Sequence, residues 1–279
     1  MQKLLFLFPI FFSYSLFSQN GPINPLSVRS NSVANASVAF TGINSLFNNQ
    51  AGLADLEQIG LLFSGEQTFI TPYSNNLGGG FAIPTTSGTF GMQYHYFGFG
   101  GLRQSKIGLA YARKLTEQLS VGAQFDLLNT QLFLQEKKHL FTFEVGFQYE
   151  VNKKILIGIH LYNPPHLEII EEEFLPRILR LGATYTVLKK LMVHAELEKD
   201  FEYPLVFKSG IEFELAKDLW VRAGCQYKPL TINFGFGYLL KKRFRIDWAC
   251  SYQHEIDYTP RNLLGQGFIA SLGVGIDFY

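Results

Sequence analysis

Six histidines, His95, His139, His160, His166, His194 and His254, are the side chains best suited to bind a metal or move a proton. No two of them stand at the spacing of a His-Glu-x-x-His metal site. No Gly-x-Ser-x-Gly turn and no phosphate loop occurs, and Gly78-Gly79-Gly80 leads into an apolar strand-like stretch instead of a helix. Glu171-Glu172-Glu173 has the charge to attract a divalent cation, but reads better as a solvated loop. A Ser/His/Asp set gathered from distant segments is the remaining route to catalysis, and no spacing points to one. The expectation is a protein that is not an enzyme and has no metal or cofactor.

What the charged residues do share is a parity. Phe141, Phe143, Val145, Phe147, Tyr149 and Val151 alternate with Thr142, Glu144, Gly146, Gln148 and Glu150. Phe268, Ala270, Leu272, Val274, Ile276 and Phe278 alternate in the same way with Gly267, Ser271, Gly273, Gly275 and Asp277. Successive side chains of a strand point to opposite faces, so each such segment has one apolar and one polar face. The polar parity carries Lys106, Gln124, Asp126, Glu144, His160, Arg180, Glu196, Glu212, Arg222, Arg245 and Asp247. A lipocalin-like barrel or a sandwich needs an apolar interior, and would then expose charge inside and grease outside. An apolar exterior of this extent far exceeds the patch a soluble monomer shows to water. A closed membrane barrel turns the apolar face to lipid, keeps the polar face in the lumen and has no unpaired edge.

The elements that must position these residues follow from the alternation. Strands are expected near 58–66, 76–84, 89–97, 105–113, 118–128, 140–151, 154–162, 177–187, 191–198, 205–215, 218–227, 231–240, 243–253 and 267–278. That is about fourteen, an even number as in bacterial single-chain barrels. Tight polar turns, such as Asn152–Lys153 and Lys241–Lys242, alternate with longer connections at 67–75, 98–104, 129–139, 163–176 and 254–266. Lys228–Leu230 is the exception, a short connection where a long one is expected. Short periplasmic turns and long outer loops put both chain ends in the periplasm. The fold class is therefore all-β, a transmembrane antiparallel barrel.

Composition agrees. Phe numbers 27, Tyr 14 and Gly 26, while only 17% of residues are charged; mean hydropathy is +0.07. Glycines in mid-strand weaken a soluble sheet, but suit a wall against which something packs. A net charge of +1 gives no field to recruit nucleic acid. Met1 to Ser18 reads as a secretory signal, with Lys3 ahead of the apolar run Leu4 to Phe12. No cysteine lies near Ser18 to carry a lipid. Cys225 and Cys250 read as small hydrophobes on the outer wall more readily than as a disulfide, with one strand between them. The final Asp277-Phe278-Tyr279 fits a terminal signal for the outer-membrane assembly machinery, with Phe278 and Tyr279 as its aromatics.

Residues 19–57 do not alternate. They are rich in Asn, Ser and Ala, as in Ser30-Asn31-Ser32, Ala34-Asn35-Ala36-Ser37 and Asn44-Ser45. A barrel of this size has a lumen to fill, and a compact polar segment can plug it. The stretches Val28-Arg29-Ser30, Ala36-Ser37-Val38-Ala39 and Asn44-Ser45-Leu46-Phe47-Asn48-Asn49-Gln50-Ala51-Gly52-Leu53-Ala54 resemble the N-terminal hatch of the FadL-like outer-membrane family. That family includes long-chain fatty-acid transporters and the PorV- and PorQ-type barrels of type IX secretion. Asn49, Ala51, Gly52 and Leu53 match its Asn-Pro-Ala-Gly-Leu-like close, with Gln50 where the family has Pro.

The resemblance implies a signal at 1–18, a hatch at 19–57 and a barrel at 58–279. It implies two functions of different kinds: transport of a hydrophobic or amphipathic small molecule, or a non-transporting scaffold or shuttle working with secretion-system subunits. A large outer pocket lined with aromatics favours transport; a tightly plugged lumen and no pocket favour the scaffold. Outer-membrane lipid surrounds the barrel in either case. Arg29, if the segment fills the lumen, needs a carboxylate or polar backbone acceptors there, and Glu144, Glu196 and Glu212 are the candidate carboxylates. Asn49 is expected to cap or brace the turn into the first strand, and Ala51 and Gly52 to let the chain pass close to the wall. An Arg at lipid-facing Val145 or Phe234 is expected to cost about 2–4 kcal/mol, and the same change at lumen-facing Gly235 or Gln148 to disturb membrane insertion much less.

Overall fold

The computed structural model describes residues 26–68, 75–99, 101–132, 137–170, 173–253 and 267–278. The expected signal segment, Glu171, Glu172, His254 and Tyr279 lie outside the described residues.

Strands β1 (Ile59–Thr68), β2 (Asn75–Thr85), β3 (Gly88–Phe99), β4 (Leu102–Lys114), β5 (Leu119–Leu132), β6 (Lys138–Asn152) and β7 (Ile155–Tyr162) follow one another up and down. A small hairpin, β8 (Glu168–Ile170) with β9 (Glu173–Phe174), stands in the next connection. Strands β10 (Ile178–Leu188), β11 (Leu191–Asp200), β12 (Val206–Ala216) and β13 (Leu219–Tyr227) continue the wall. It ends with β14 (Thr231–Leu240), β15 (Phe244–Gln253) and β16 (Gly267–Phe278). Apart from β8 and β9, these make one closed antiparallel barrel of fourteen strands. It closes where β1 pairs with β16, from Ile59 opposite Phe278 to Thr68 opposite Ile269.

Each expected strand is present, and the faces lie as the parity requires. Phe125 and Phe141 are 72% and 73% exposed, while Gln124 and Asp126 beside Phe125 are 0% and 2% exposed. An outer surface of Phe, Leu, Ile and Tyr over a charged interior is stable only in lipid. No helix among the described residues is long and apolar enough to cross a membrane; the strands do the crossing. Cys225 and Cys250 are free and lie on the outer parity, facing Ile232 and Phe234 of the intervening β14.

Two expected long connections shrink. β3 and β4 pair as far as Phe99 opposite Leu102, and β5 and β6 as far as Thr130 opposite Lys138. Residues such as Arg103, Gln104, Asn129 and Thr130 keep the backbone ladder while losing the apolar-polar alternation. A strand that rises out of lipid is under no demand to alternate. Lys228–Leu230 does join β13 and β14 with three residues at the long-loop end.

Candidate functional site in the lumen

Residues 26–57 sit inside the barrel. They contain one short helix, Val28–Ser32, and two 3-10 helices, Ile43–Phe47 and Gln50–Asp55. So little regular structure leaves many backbone groups to satisfy, and Ser and Asn side chains do it. Ser27 caps the first helix and its Oγ donates to Asn44 Oδ1 at 2.8 Å. Asn48 Nδ2 donates to Ser30 Oγ and to the Asn44 carbonyl, and Ser37 Oγ donates to Asn48 Oδ1. The Asn/Ser richness of this stretch is thus an internal bonding scheme.

One side of the segment meets an apolar seat. Leu26, Ile43, Leu46, Phe47 and Leu53 cluster with Leu62 of β1, Ala82 of β2, and Ala110 and Ala112 of β4. Leu46 and Leu53 are fully buried. The lumen is therefore not polar all round, contrary to a simple reading of parity. The inward positions Leu62, Ala82, Ala110 and Ala112 are small or aliphatic because they face a leucine-rich part of the segment.

The other side meets an ionic seat. Arg29 Nε and Nη2 both donate to Glu212, the shortest contact being 2.8 Å. Of the three candidate carboxylates, Glu212 is thus the partner. Glu212 also pairs with Arg222 at 2.8 Å and His194 at 3.0 Å, and Arg222 reaches Asp247 at 2.6 Å. The Arg29 guanidinium lies 4.3 Å from the centre of the Phe40 ring. Glu196 Oε2 accepts from the backbone amides of Ser37 and Val38, both at 2.8 Å. Glu144 binds Lys106 at 2.9 Å and His160 at 3.0 Å, and accepts from Gln50 Nε2 at 2.9 Å. Gln50 therefore ties the segment to the wall through a side-chain bond. Arg180 is buried, with its Nε 3.8 Å from Glu198. Arg245 is half-buried and forms no ion pair with a described residue.

The close Asn49-Gln50-Ala51-Gly52-Leu53 lies against β4, β5 and β6. Of the two roles expected of Asn49 at the entry to β1, the structure shows the cap. Asn49 caps the helix Gln50–Asp55, its Oδ1 accepting from Ala51 N, and its Nδ2 donates to the Val38 carbonyl at 2.8 Å. It also reaches the carbonyls of Phe147 and Ile159 in the wall. Gly52 is required by close approach, since a Cβ would strike the Phe40 carbonyl oxygen. Ala51 is fully buried beside Gly122.

The wall mirrors this with a belt of small residues. Gly122 faces Gly146, Gly158 faces Gly182, and Gly210 faces Gly224 as direct cross-strand partners. A Cβ on Gly146 would collide with Asn49, on Gly158 with Val38, and on Gly224 with Val33. Gly235 and Gln148, on the lumen side, also touch the segment. A Cβ on Gly235 would strike Ser32, and Gln148 Nε2 donates to the Phe40 carbonyl at 2.8 Å.

Toward the short-turn end, two cavities of about 240 and 300 Å³ flank Arg29. At the long-loop end, Asn163 holds the Leu175 carbonyl at 2.7 Å, and Leu175 packs inward against Leu128, Tyr162 and Ile178. His95, His160 and His194 are buried on the lumen parity, and no metal-binding cluster is found among the described residues. Phe278 ends β16.

No family model and no curated protein sequence matches the chain. Solved structures do. The chain is similar to the CymD monoaromatic hydrocarbon channel at 14% identity, covering 94% of this chain and 99% of that one, with a TM-score of 0.72. It is similar to the Ralstonia pickettii toluene transporter TbuX at 14% identity, covering 95% and 100%, with a TM-score of 0.69. A Pseudomonas aeruginosa FadL homologue is 12% identical over 91% and 98%, with a TM-score of 0.63. The chain has the fold of the FadL-like outer-membrane β-barrels.

Proposed function

We propose that this protein carries hydrophobic or amphipathic small molecules across the bacterial outer membrane, with residues 19–57 as a hatch. The observation that carries the reading is the match, over nearly the whole of each chain, to barrels described as hydrocarbon channels and transporters. The lumen holds its own N-terminal segment but keeps cavities of about 240 and 300 Å³ beside Arg29, where a tightly plugged lumen with no pocket would favour the scaffold. The similar structures favour transport over a secretion scaffold. In this reading the short turns and both chain ends are periplasmic, lipid covers the apolar wall, and Phe278 and Tyr279 present the assembly signal.

Arg29, Asn49, Ala51, Gly52 and Leu53 set the hatch in place, and Glu144, Glu196, Glu212 and Arg222 are its wall anchors. Expression in an outer-membrane host lacking its own hydrocarbon channels tests the function. Uptake of labelled toluene should rise severalfold above the empty host. A rate equal to the empty host, with the barrel folded in the membrane, would contradict transport of that class.

A further inference from the structure

Below the ionic seat, at the short-turn end, the lumen parity changes character. Met192 of β11, Trp220 of β13 and Leu239 of β14 occupy inward positions that are polar or glycine elsewhere on these strands. They line the cavity of about 240 Å³ together with Arg29, Arg222 and Arg245. Gly237 lies on the same wall, and a Cβ there would press within 2.7 Å of the Arg222 guanidinium. Its absence lets Arg222 lie flat between Glu212 and Asp247.

The charges do not close locally. Arg29 and Arg222 share Glu212 and Asp247. Arg245 feels Asp247 and Asp277 only at longer range, and it makes no hydrogen bond or ion pair with a described residue. A guanidinium with five donors in a fixed fork, facing an apolar chamber, matches a planar carboxylate on an apolar body. A cavity of about 150 Å³ accommodates benzene, so 240 Å³ suits a ring with one acidic group.

We propose that this cavity binds small organic acids of benzoate size, with Arg245 holding the carboxylate and Trp220, Met192 and Leu239 enclosing the apolar body. The site lies on the far side of Arg29 and Phe40 from the long loops, and it stands whether or not neutral hydrocarbons pass the lumen.

The chain has two tryptophans. Trp248 faces lipid and stacks on Phe236 at 5.5 Å, so Trp248→Phe leaves Trp220 as the sole reporter in the detergent-solubilised protein. Benzoate should change Trp220 emission with half-effect below about 1 mM, while benzylamine and benzyl alcohol should not. Trp220→Phe protein, which retains Trp248, should show no change. Arg245→Gln, checked for heat-modifiable gel mobility, should weaken the benzoate response at least about tenfold, the size expected for a lost hydrogen bond to a charged group. No response to benzoate, or an equal response to benzylamine, would overturn the proposal even if the Arg245 variant fails to fold. An unchanged response in folded Arg245→Gln would overturn the role of Arg245.

Discussion

The internal segment is seated on two walls of opposite character. Against β1, β2 and β4 it buries Leu46, Leu53, Ile43 and Phe47 among small and aliphatic side chains. Against β11, β12 and β13 it is held by Arg29 on Glu212 and by the Ser37 and Val38 amides on Glu196. Apolar burial is non-directional and fails gradually. A buried ion pair is directional and fails abruptly when one partner goes, because the other is left uncompensated. The difference assigns the two halves of the segment different mechanical roles. Residues 43–55 are the fixed half, and residues 28–40 the half whose hold depends on a few named charges.

The largest effect should come from breaking the ionic seat. Glu212→Leu strands Arg29 and leaves Arg222 only Asp247, and should loosen residues 28–40 by about 3–5 kcal/mol. Hydrogen exchange should rise at the Asn31–Ala39 amides and stay low at Leu46–Leu53. On the apolar seat, Leu46→Ala should cost about 3 kcal/mol, and exchange should then rise at residues 43–55 first. Loss of both halves together in either variant would mean the segment is a single cooperative unit.

The junction of the two seats offers finer probes. Gly146→Val inserts bulk against Asn49 and should cost about 1–3 kcal/mol, read as a lower temperature for loss of heat-modifiable mobility. Asn49→Ala removes the cap on Gln50–Asp55 and should cost about 1 kcal/mol, seen as faster exchange at Ala51.

The barrel itself was legible in the sequence, because lipid on one side and a filled lumen on the other enforce a period of two along every strand. Where that demand stops, legibility stops. The strand extensions around Arg103 and Asn129 carry no alternation, so only backbone pairing defines them. The site was legible in part. Arg29 announced a buried charge, and parity supplied Glu212 among three candidates. Parity did not show that Leu62, Ala82 and Ala110 form an apolar seat, since an inward aliphatic looks like an interruption until its leucine partners are seen. The caps at Ser27 and Asn49 and the two 3-10 helices have no periodic signature either. Their clearest trace was the abundance of Ser and Asn. The glycines opposite the segment were visible as mid-strand anomalies, and their cross-strand pairing shows them to be a fitted surface.

Deleting residues 26–50 tests the central claim, that this segment closes an otherwise continuous lumen. The variant should still form a heat-modifiable barrel, and liposomes containing it should leak small polar solutes such as glucose, while liposomes with the intact protein retain them. Equal leakage from both, with both barrels folded, would contradict the account.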